Sequence, residues 1–366
     1  MVSISLHYNL LALVQYNLLH SKFQFMAKKT TKKSPSLSFK QVVVVGTSAG
    51  GFEALISLIK QLPANFPAPI LMVMHLSADV NGDFILDALR KNGQLPVKHA
   101  EDHEVLKAGQ VYLAPSDHHL MIGKKGRILV TKGAQENRSR PGIDPLFRSA
   151  AVAYTNRVTG VLLTGYLDDG TAGLMAIQRC GGTCIVQDPK DASYPDMPKN
   201  ALNQIEADYC ASIVEIASVL VQLMGRKFAK AAAVPQDIMT EAKIAERVLS
   251  DLPSVNSLGD QVPFNCPGCG GVLWKIGEGP LLRYRCHTGH AYTAKVLLSE
   301  QTNKIEETMW IALRMFEERR NLLVTMAKEK TGRAAKAAAE RAQNSQVHID
   351  RIRSILLSNN TPGKTT

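Results

Sequence analysis

Short runs of aliphatic residues alternate with amphipathic stretches between about residues 41 and 225, and this alternation limits the fold more strongly than any other feature of the sequence. Each run has the length of a buried strand, and each amphipathic stretch has apolar residues at helical spacing. Strands that alternate with helices form a mostly parallel sheet covered by helices on both faces. We therefore predict an α/β fold with a doubly wound, mostly parallel sheet.

The same pattern assigns the individual elements. The predicted strands are residues 42–45, 70–74, 111–114, 120–122, 128–130, 161–163 and 183–186. The predicted helices are residues 52–61, 83–91, 144–154, 172–180 and 214–224. The α/β unit therefore spans residues 41–225.

The positive net charge of the chain is concentrated near its amino end. Residues 1–40 contain six lysines and no acidic residue, so the other 326 residues carry only 11 − 6 = +5. We expect residues 1–40 to be a basic, disordered leader, with Met26 as an ordinary start, and we expect no nucleic-acid binding. The first 25 residues lack the features of an export signal, and no apolar run exceeds five residues. A cytoplasmic location is therefore expected, and an integral membrane protein is excluded.

Three further segments follow the α/β unit. Residues 226–262 are predicted to be a linker with one short helix, residues 263–298 a compact Cys/His-rich module, and residues 299–366 a helical region. Apolar residues at a spacing near 3.5 predict a helical hairpin or a coiled coil, with Gly332 at the turn. Two amphipathic helices that fold back on the α/β unit are the alternative. These helices are also the expected interface of a homo-oligomer.

A glycine-rich turn, GTSAGG (residues 46–51), follows the first strand and opens the first helix. The glycines permit a sharp turn that exposes the hydroxyl of Ser48 at a helix N-terminus, where backbone N–H groups and the helix dipole stabilise an oxyanion. A dinucleotide-binding loop would have glycine in place of Ser48. The turn therefore favours a nucleophilic serine over a nucleotide site or a structural serine.

A nucleophilic serine needs a base and an orienting acid. In a parallel sheet the carboxyl ends of the strands share one edge. His75 directly follows the second strand, and Asp168 and Asp169 follow the strand at residues 161–163. We therefore predict that His75 takes the proton of Ser48 and that one aspartate orients the imidazole. The spacing does not choose between Asp168 and Asp169.

Cys266 and Cys269 form a C-x2-C pair, and Cys286 and His290 follow after sixteen residues. Two such pairs are typical of a zinc site, because two tight turns place four ligands in a tetrahedron. His287 is an alternative to His290. Four protein ligands leave zinc no open position, so we predict a structural zinc ion in a zinc-ribbon-like module.

In their order along the chain, the motifs of residues 41–225 resemble the chemotaxis protein-glutamate methylesterase family. The matching segments are GTSAGG (46–51), MH (74–75), ED (101–102), YLAPSDHH (112–119), RPGIDPLF (140–147), LTGYLDDG (163–170), QDP (187–189) and MP (197–198). The resemblance implies a triad of Ser48, His75 and Asp169 that needs no cofactor. It also implies hydrolysis of glutamate γ-methyl esters on methylated chemoreceptors, peripheral to the membrane, with glutamine deamidation in some members.

The sequence departs from the pattern of that family in several places. Ala49 replaces the threonine that usually follows the nucleophile, and Tyr166-Leu167 replaces Met-Gly. The phospho-receiver domain of typical members is expected to be absent, because only about 40 residues precede the α/β unit. A signalling scaffold that keeps the esterase fold, but acts through the metal module and the C-terminal helices, is therefore a second hypothesis.

Overall fold

The computed structural model describes residues 39–246, 251–277 and 279–358. The predicted leader lies outside the described residues except for its last two, and so do residues 359–366 of the predicted helical region. Within the described residues, no helix is both long and apolar enough to cross a membrane.

Seven parallel strands form the central sheet. The strands of this part of the chain are β1 (Val42–Thr47), β2 (Ile70–Met74), β3 (Val97–His99), β4 (Val111–Leu113), β5 (His119–Ile122), β6 (Ile128–Thr131), β7 (Val158–Leu162), β8 (Thr183–Gln187) and β9 (Tyr209–Ala211). The sheet order is β3-β4-β2-β1-β7-β8-β9, with β1 paired to β2 and β7. The remaining strands, β5 and β6, form the predicted antiparallel hairpin.

Helices cover both faces of this sheet. They are α1 (Gly51–Gln61), α2 (Asp83–Asn92), α3 (Ile143–Tyr154), α4 (Thr171–Arg179), α5 (Asp196–Leu202) and α6 (Ile213–Leu223). Successive strand residues point to opposite faces, so Val44 packs in a buried cluster with α3 and α4, whereas Val43 packs in another with α1, α2 and α6. The predicted doubly wound α/β fold is confirmed.

Within the α/β unit, the sequence pattern missed three short strands and helices, β3, β9 and α5. The two strands have three residues each and lie at the two edges of the sheet, where Tyr209 and Cys210 are exposed. An edge strand of this kind needs no run of buried aliphatic residues, so hydrophobic periodicity does not reveal it. The missed helix has seven residues, which is too short for a clear amphipathic pattern.

A four-stranded antiparallel sheet forms the core of the Cys/His-rich module. Two helices precede this sheet, α7 (Gln236–Glu246) and α8 (Leu252–Asn256), where one was predicted, and its strands are β10 (Gly259–Asn265), β11 (Val272–Ile276), β12 (Arg283–Cys286) and β13 (Ala291–Thr293). The strand order is β10-β11-β12-β13. Strand β10 begins at Gly259, before the predicted start of the module at residue 263, and none of its residues is buried, so no apolar run marks it as a strand.

Two long helices complete the described chain, α9 (Ala294–Glu329) and α10 (Gly332–Ser358). The first begins at Ala294 rather than residue 299, because the side chain of Thr293 caps it by accepting a hydrogen bond from Val296 N. The helices pair with each other around a buried cluster that includes Leu313 and Ile349. Gly332, with φ of 63°, lies at the turn, as expected for a helical hairpin.

Candidate active site

Ser48 lies in the sharp turn between β1 and α1. Its backbone N–H donates to Thr164 O at 3.0 Å, which ties the turn to the end of the neighbouring strand β7. Gly50 has φ of 72°, a left-handed conformation that favours glycine. A Cβ atom at Gly165 would lie only 2.8 Å from Ser48 Cβ. The turn is therefore close-packed around the hydroxyl-bearing residue.

His75 follows β2 and faces Ser48 across the sheet edge. Its backbone N–H donates to Thr47 O at 3.1 Å, so the ends of β1 and β2 are held together. Nδ1 lies 3.2 Å from Ser48 Oγ, and Nε2 lies 2.8 Å from Asp169 Oδ2. The two ring nitrogens are used in the opposite order to the chymotrypsin arrangement. Each nitrogen can donate or accept, so the ring can still pass a proton.

Asp169 is buried, and its carboxylate accepts several hydrogen bonds. Oδ2 accepts from Ile143 N at 2.7 Å as well as from His75, and Oδ1 accepts from Asn137 Nδ2 at 3.0 Å and from Asp144 N at 3.2 Å. Burial acts to raise the pKa of Asp169, but the hydrogen bond and charge of His75, aided by the other donors, lower it to about 2. The carboxylate is therefore ionised at neutral pH and can stabilise an imidazolium.

The structure places the two adjacent aspartates in different surroundings. The hydrogen bond to His75 is made by Asp169, the residue that the family resemblance implies. Asp168 instead accepts a hydrogen bond from Thr293 Oγ1 at 2.8 Å. Burial raises the pKa of Asp168. Spacing alone left this choice open, and side-chain contacts distinguish the two residues.

A second buried carboxyl group, that of Asp144, lies beside Asp169. Asn137 Nδ2 donates to Asp144 Oδ2 at 2.9 Å, and Gly173 N donates to Asp144 Oδ1 at 2.6 Å. Burial and the negative charge of Asp169 raise the pKa of Asp144 well above its usual range. The negative charge of this pair therefore resides on Asp169, the carboxylate that contacts the imidazole.

A cleft of about 250 Å³ opens over Ser48 and His75. Its walls include residues 137–139, Tyr166 and Val296, the last from the first turn of α9. The side chain of His75 is 17% exposed, so the imidazole can be reached from the cleft.

The four predicted metal ligands also meet. The ligand atoms of Cys266, Cys269, Cys286 and His290 all lie within 4.8 Å of one another. The Sγ atoms of Cys269 and Cys286 are 3.7 Å apart. Zinc–sulfur bonds of about 2.3 Å in a tetrahedron place two sulfurs about 3.8 Å apart, so this donor set fits zinc. Tyr292 OH lies 3.3 Å from Cys266 Sγ and can donate to a coordinated thiolate.

The sequence analysis did not single out Asn137 or Asp144 as residues of this site, and Asn137 is the harder of the two to predict. It lies in a loop rather than at a strand end, and its φ is 49°, a left-handed backbone that asparagine tolerates. A local pattern could have indicated a turn there. It could not have indicated the contact with Asp169, which joins residues 32 positions apart.

Comparisons with known proteins match the part of the chain that carries this site. Residues 43–220 match the family model described as CheB methylesterase. A putative protein-glutamate methylesterase/protein-glutamine glutaminase of Leptospira interrogans is 38% identical over 183 residues, 50% of this chain and 94% of that protein. The protein-glutamate methylesterase/protein-glutamine glutaminase of Thermotoga maritima is 35% identical over 205 residues, 55% of this chain and 59% of that protein. The solved structure of the Thermotoga maritima CheB methylesterase catalytic domain has 35% identity and a TM-score of 0.48, and the match covers 50% of this chain and 98% of that one.

Proposed function

The chain belongs to the CheB methylesterase family, and we propose that it hydrolyses glutamate γ-methyl esters on methylated chemoreceptors or related signalling proteins, with Ser48, His75 and Asp169 as its catalytic triad. The observation that carries the proposal is the continuous series of contacts from Ser48 Oγ through the His75 ring to the buried Asp169 carboxylate. Few structural roles would account for an ionised aspartate, an imidazole and a serine hydroxyl in line at the mouth of a cleft.

The geometry supports a two-step acyl transfer. Ser48 Oγ attacks the ester carbonyl carbon while His75 Nδ1 takes its proton. The bond to the methoxy oxygen then breaks, and His75 returns the proton to that oxygen, so methanol leaves. Water attacks the acyl-enzyme and gives a proton to His75, which passes it to Ser48 Oγ as the glutamate carboxyl group leaves. Asp169 stabilises the imidazolium in both steps.

Ester hydrolysis on the receptor creates a carboxylate where a neutral ester stood. The new negative charge changes the local electrostatics of the partner, and this is how the reaction can act as a signal. The amino end of α1, just beyond Ser48, provides the positive end of a helix dipole for the oxyanion that forms during attack.

Methanol release from methylated receptor tests this function. We expect release by the wild-type chain and a loss of at least about 10³-fold in Ser48→Ala, because the nucleophile is removed. Ser57→Ala, in α1 but outside the triad, is the matched control and should keep its activity. A serine-directed phosphonate should label Ser48.

Two outcomes would overturn the proposal. Methanol release that survives in Ser48→Ala would exclude the triad. A chain that releases no methanol and is inert to the phosphonate would favour the scaffold hypothesis, in which the metal module and the C-terminal helices act without catalysis.

The relatives named above also carry the description protein-glutamine glutaminase, and we extend the proposal to glutamine deamidation. The same attack by Ser48 on a glutamine side chain would release ammonia instead of methanol. Measurement of ammonia from a receptor with glutamine at the modified position tests this activity, and the absence of ammonia under conditions that release methanol would restrict the enzyme to esters.

We infer that Cys266, Cys269, Cys286 and His290 bind a structural zinc ion. The spacing of their ligand atoms supports this assignment, and no step of the ester hydrolysis above involves the ion. Purified protein should contain about one equivalent of zinc. Cys269→Ser should lower that content severalfold, whereas Cys210→Ser, on edge strand β9, should not.

We also propose a catalytic domain at residues 41–225, a zinc-ribbon-like module and a C-terminal helical region, acting in the cytoplasm. The clustering of Cys266, Cys269 and Cys286 with His290 is typical of metal ligation rather than of disulfides, which supports a reducing compartment. Exposed apolar side chains along α9, among them Ile305, Met315 and Leu322, support self-association through the hairpin. Light scattering of the purified chain measures the oligomeric state.

A further inference from the structure

The metal module and the triad are joined through one loop of the α/β domain. Asn137 N donates to Ala291 O at 2.8 Å, so the loop pairs with strand β13 of the module. Thr293 N, in the same strand, donates to the side-chain oxygen Oδ1 of Asn137 at 3.1 Å. The module therefore fixes both the backbone and the side chain of Asn137.

Both the oxygen and the nitrogen of the Asn137 amide group are hydrogen-bonded, the oxygen to the module and the nitrogen to the α/β domain. Its oxygen accepts from Thr293, and its nitrogen donates to Asp169 Oδ1 at 3.0 Å and to Asp144 Oδ2 at 2.9 Å. These partners fix the direction of the amide, because only the nitrogen can donate to the carboxyl groups. Asn137 is 6% exposed, so water cannot readily replace these contacts.

A buried ionic network makes a second connection beside Asn137. The network consists of Glu136, Arg148, Glu241, Arg283 and Arg285. Arg285 is 0% exposed and lies 2.9 Å from Glu136, the residue that precedes Asn137. Arg285 also precedes Cys286, one of the proposed zinc ligands. A displacement of β12 would therefore leave a buried charge without its partner.

Leu167 provides a third connection between the segment that carries Asp169 and the module. Its φ is 62°, a left-handed conformation that costs a leucine about 1–2 kcal/mol. Its side chain packs against the apolar cluster of the module, which contains Cys266, Tyr292 and Val296. This packing offsets the backbone strain and explains a leucine where the family pattern has glycine. Asp168, the next residue, accepts the hydroxyl hydrogen bond of Thr293.

We propose that the metal module is a working part of the esterase active site: metal binding holds β12 and β13 in place, these strands hold Asn137, and Asn137 is a positioning residue that keeps Asp169 against His75. Loss of the metal ion then lowers the catalytic rate although no triad residue binds metal. This inference rests on the proposed function for its kinetic readout, so its test includes a measurement that needs no substrate.

The test compares the full chain with zinc and after chelation, as wild type and as Asn137→Ala. Zinc content, kcat and KM are measured with a methyl ester substrate. The proton resonance of His75 Nε2–H is recorded by NMR, because the hydrogen bond to Asp169 moves it downfield. Asn203→Ala, an exposed asparagine in the same domain, is the matched control and should behave as wild type.

Chelation should lower the wild-type kcat about 10- to 100-fold with little change in KM, because the carboxylate is displaced while the cleft remains, and zinc should restore it. Asn137→Ala should show a similar loss with zinc bound, and chelation should lower its kcat little further, because both changes release the same carboxylate. The downfield resonance should be lost in each case. The proposal would be overturned if chelation lowered the kcat of Asn137→Ala by the same factor as that of the wild type. It would also be overturned if the chelated wild type kept both its kcat and the downfield resonance.

A second variant covers the case in which chelation unfolds the whole chain, as judged by circular dichroism. Thr293→Val leaves the metal ligands and the backbone N–H that holds Asn137 unchanged, but it removes the hydroxyl group that anchors β13 to Asp168 and caps α9, so the strand is held less firmly. We expect a severalfold lower kcat and a shifted resonance at normal zinc content, with recovery in Thr293→Ser, and an unchanged kcat and resonance would contradict the coupling. If the zinc-loaded wild type releases no methanol, the proposed function fails, and the resonance still decides the coupling.

Discussion

In the α/β domain the proposed triad of Ser48, His75 and Asp169 lies at the ends of three neighbouring strands, whereas the four proposed metal ligands lie in two turns of a small antiparallel sheet. Large clusters of buried aliphatic residues lie on both faces of the seven-stranded sheet. The two clusters of the module are much smaller. A small core supplies little stabilisation. Burial of apolar surface therefore stabilises the sheet that carries the proposed triad, whereas the proposed metal ligands and the buried ion pairs stabilise the module.

The largest effect is expected when each of the two neighbouring aspartates is replaced by asparagine, and this comparison tests the α/β domain. We expect Asp169→Asn to lower kcat about 10⁴-fold, because the amide would favour the wrong imidazole tautomer. Asp168→Asn should lower it less than about tenfold, because the new amide oxygen can still accept from Thr293. Esterase kinetics measure both. A larger loss of kcat in Asp168→Asn than in Asp169→Asn would show that Asp169 is not the acid of the triad.

A substitution in the buried ionic network tests what stabilises the module. Glu241 is 2% exposed and lies within ion-pair distance of Arg148, Arg283 and Arg285. We expect Glu241→Gln to lower the free energy of unfolding by about 3–5 kcal/mol, because it leaves buried arginines without enough negative charge. Urea denaturation measures the change. Glu246→Gln, at the exposed end of the same helix, is the control, and an equal loss there would contradict the role of the network.

The free energy of unfolding of the same two variants should depend differently on pH. Burial acts to raise the pKa of Glu241, but the three arginines lower it well below its usual range. In the unfolded chain the pKa of glutamate is about 4.3. The folded value is lower, so the stabilisation is fully present above about pH 4.3 and is lost as the pH falls towards the folded value. Between pH 5 and pH 3, the unfolding free energy should therefore fall less steeply in Glu241→Gln than in Glu246→Gln, and equal slopes would contradict this assignment.

Close packing at Ser48 gives a smaller effect that is confined to catalysis. A Cβ atom at Gly165 would lie 2.5 Å from Met197 Sδ and 2.8 Å from Ser48 Cβ. We expect Gly165→Ala to lower kcat about 100-fold by displacing Ser48, with zinc content unchanged. Gly225→Ala is the control, because none of the described residues lies within 4 Å of the added atom. Full activity in Gly165→Ala would show that the turn adapts.

The helical hairpin should show the smallest effect, and only on stability. Ile349 is 0% exposed in the contact between α9 and α10, whereas Ile355 on the same helix is 44% exposed. We expect Ile349→Val to destabilise the hairpin by about 1 kcal/mol and Ile355→Val by much less, because only the first leaves a cavity. Hydrogen exchange of the α9 and α10 amides measures this difference. A change in kcat in Ile349→Val would show that the hairpin is coupled to the triad.

Much of the candidate active site could be predicted, because the sequence patterns that indicate it are local. The strand before Ser48, the turn around it and the strand before His75 are each encoded within a few residues, and parallel strands bring such ends to one edge. The edge strands β3 and β9 could not be predicted, because short, partly exposed strands leave no apolar run. The first residues of β10 and α9 could not be predicted either, since no residue of β10 is buried and a threonine cap begins α9 before the apolar spacing becomes regular.

The sequence by itself determined the alternation of strands and helices, the turn that presents Ser48 and the paired turns of the metal ligands. The tertiary structure alone decided that Asn137 joins Asp169 to Thr293, and that Leu167 packs on the module. The physical reason is distance along the chain: Thr293 lies 156 positions from Asn137. Periodicity reports which face of an element is buried, whereas a hydrogen bond between distant residues depends on how complete elements pack together.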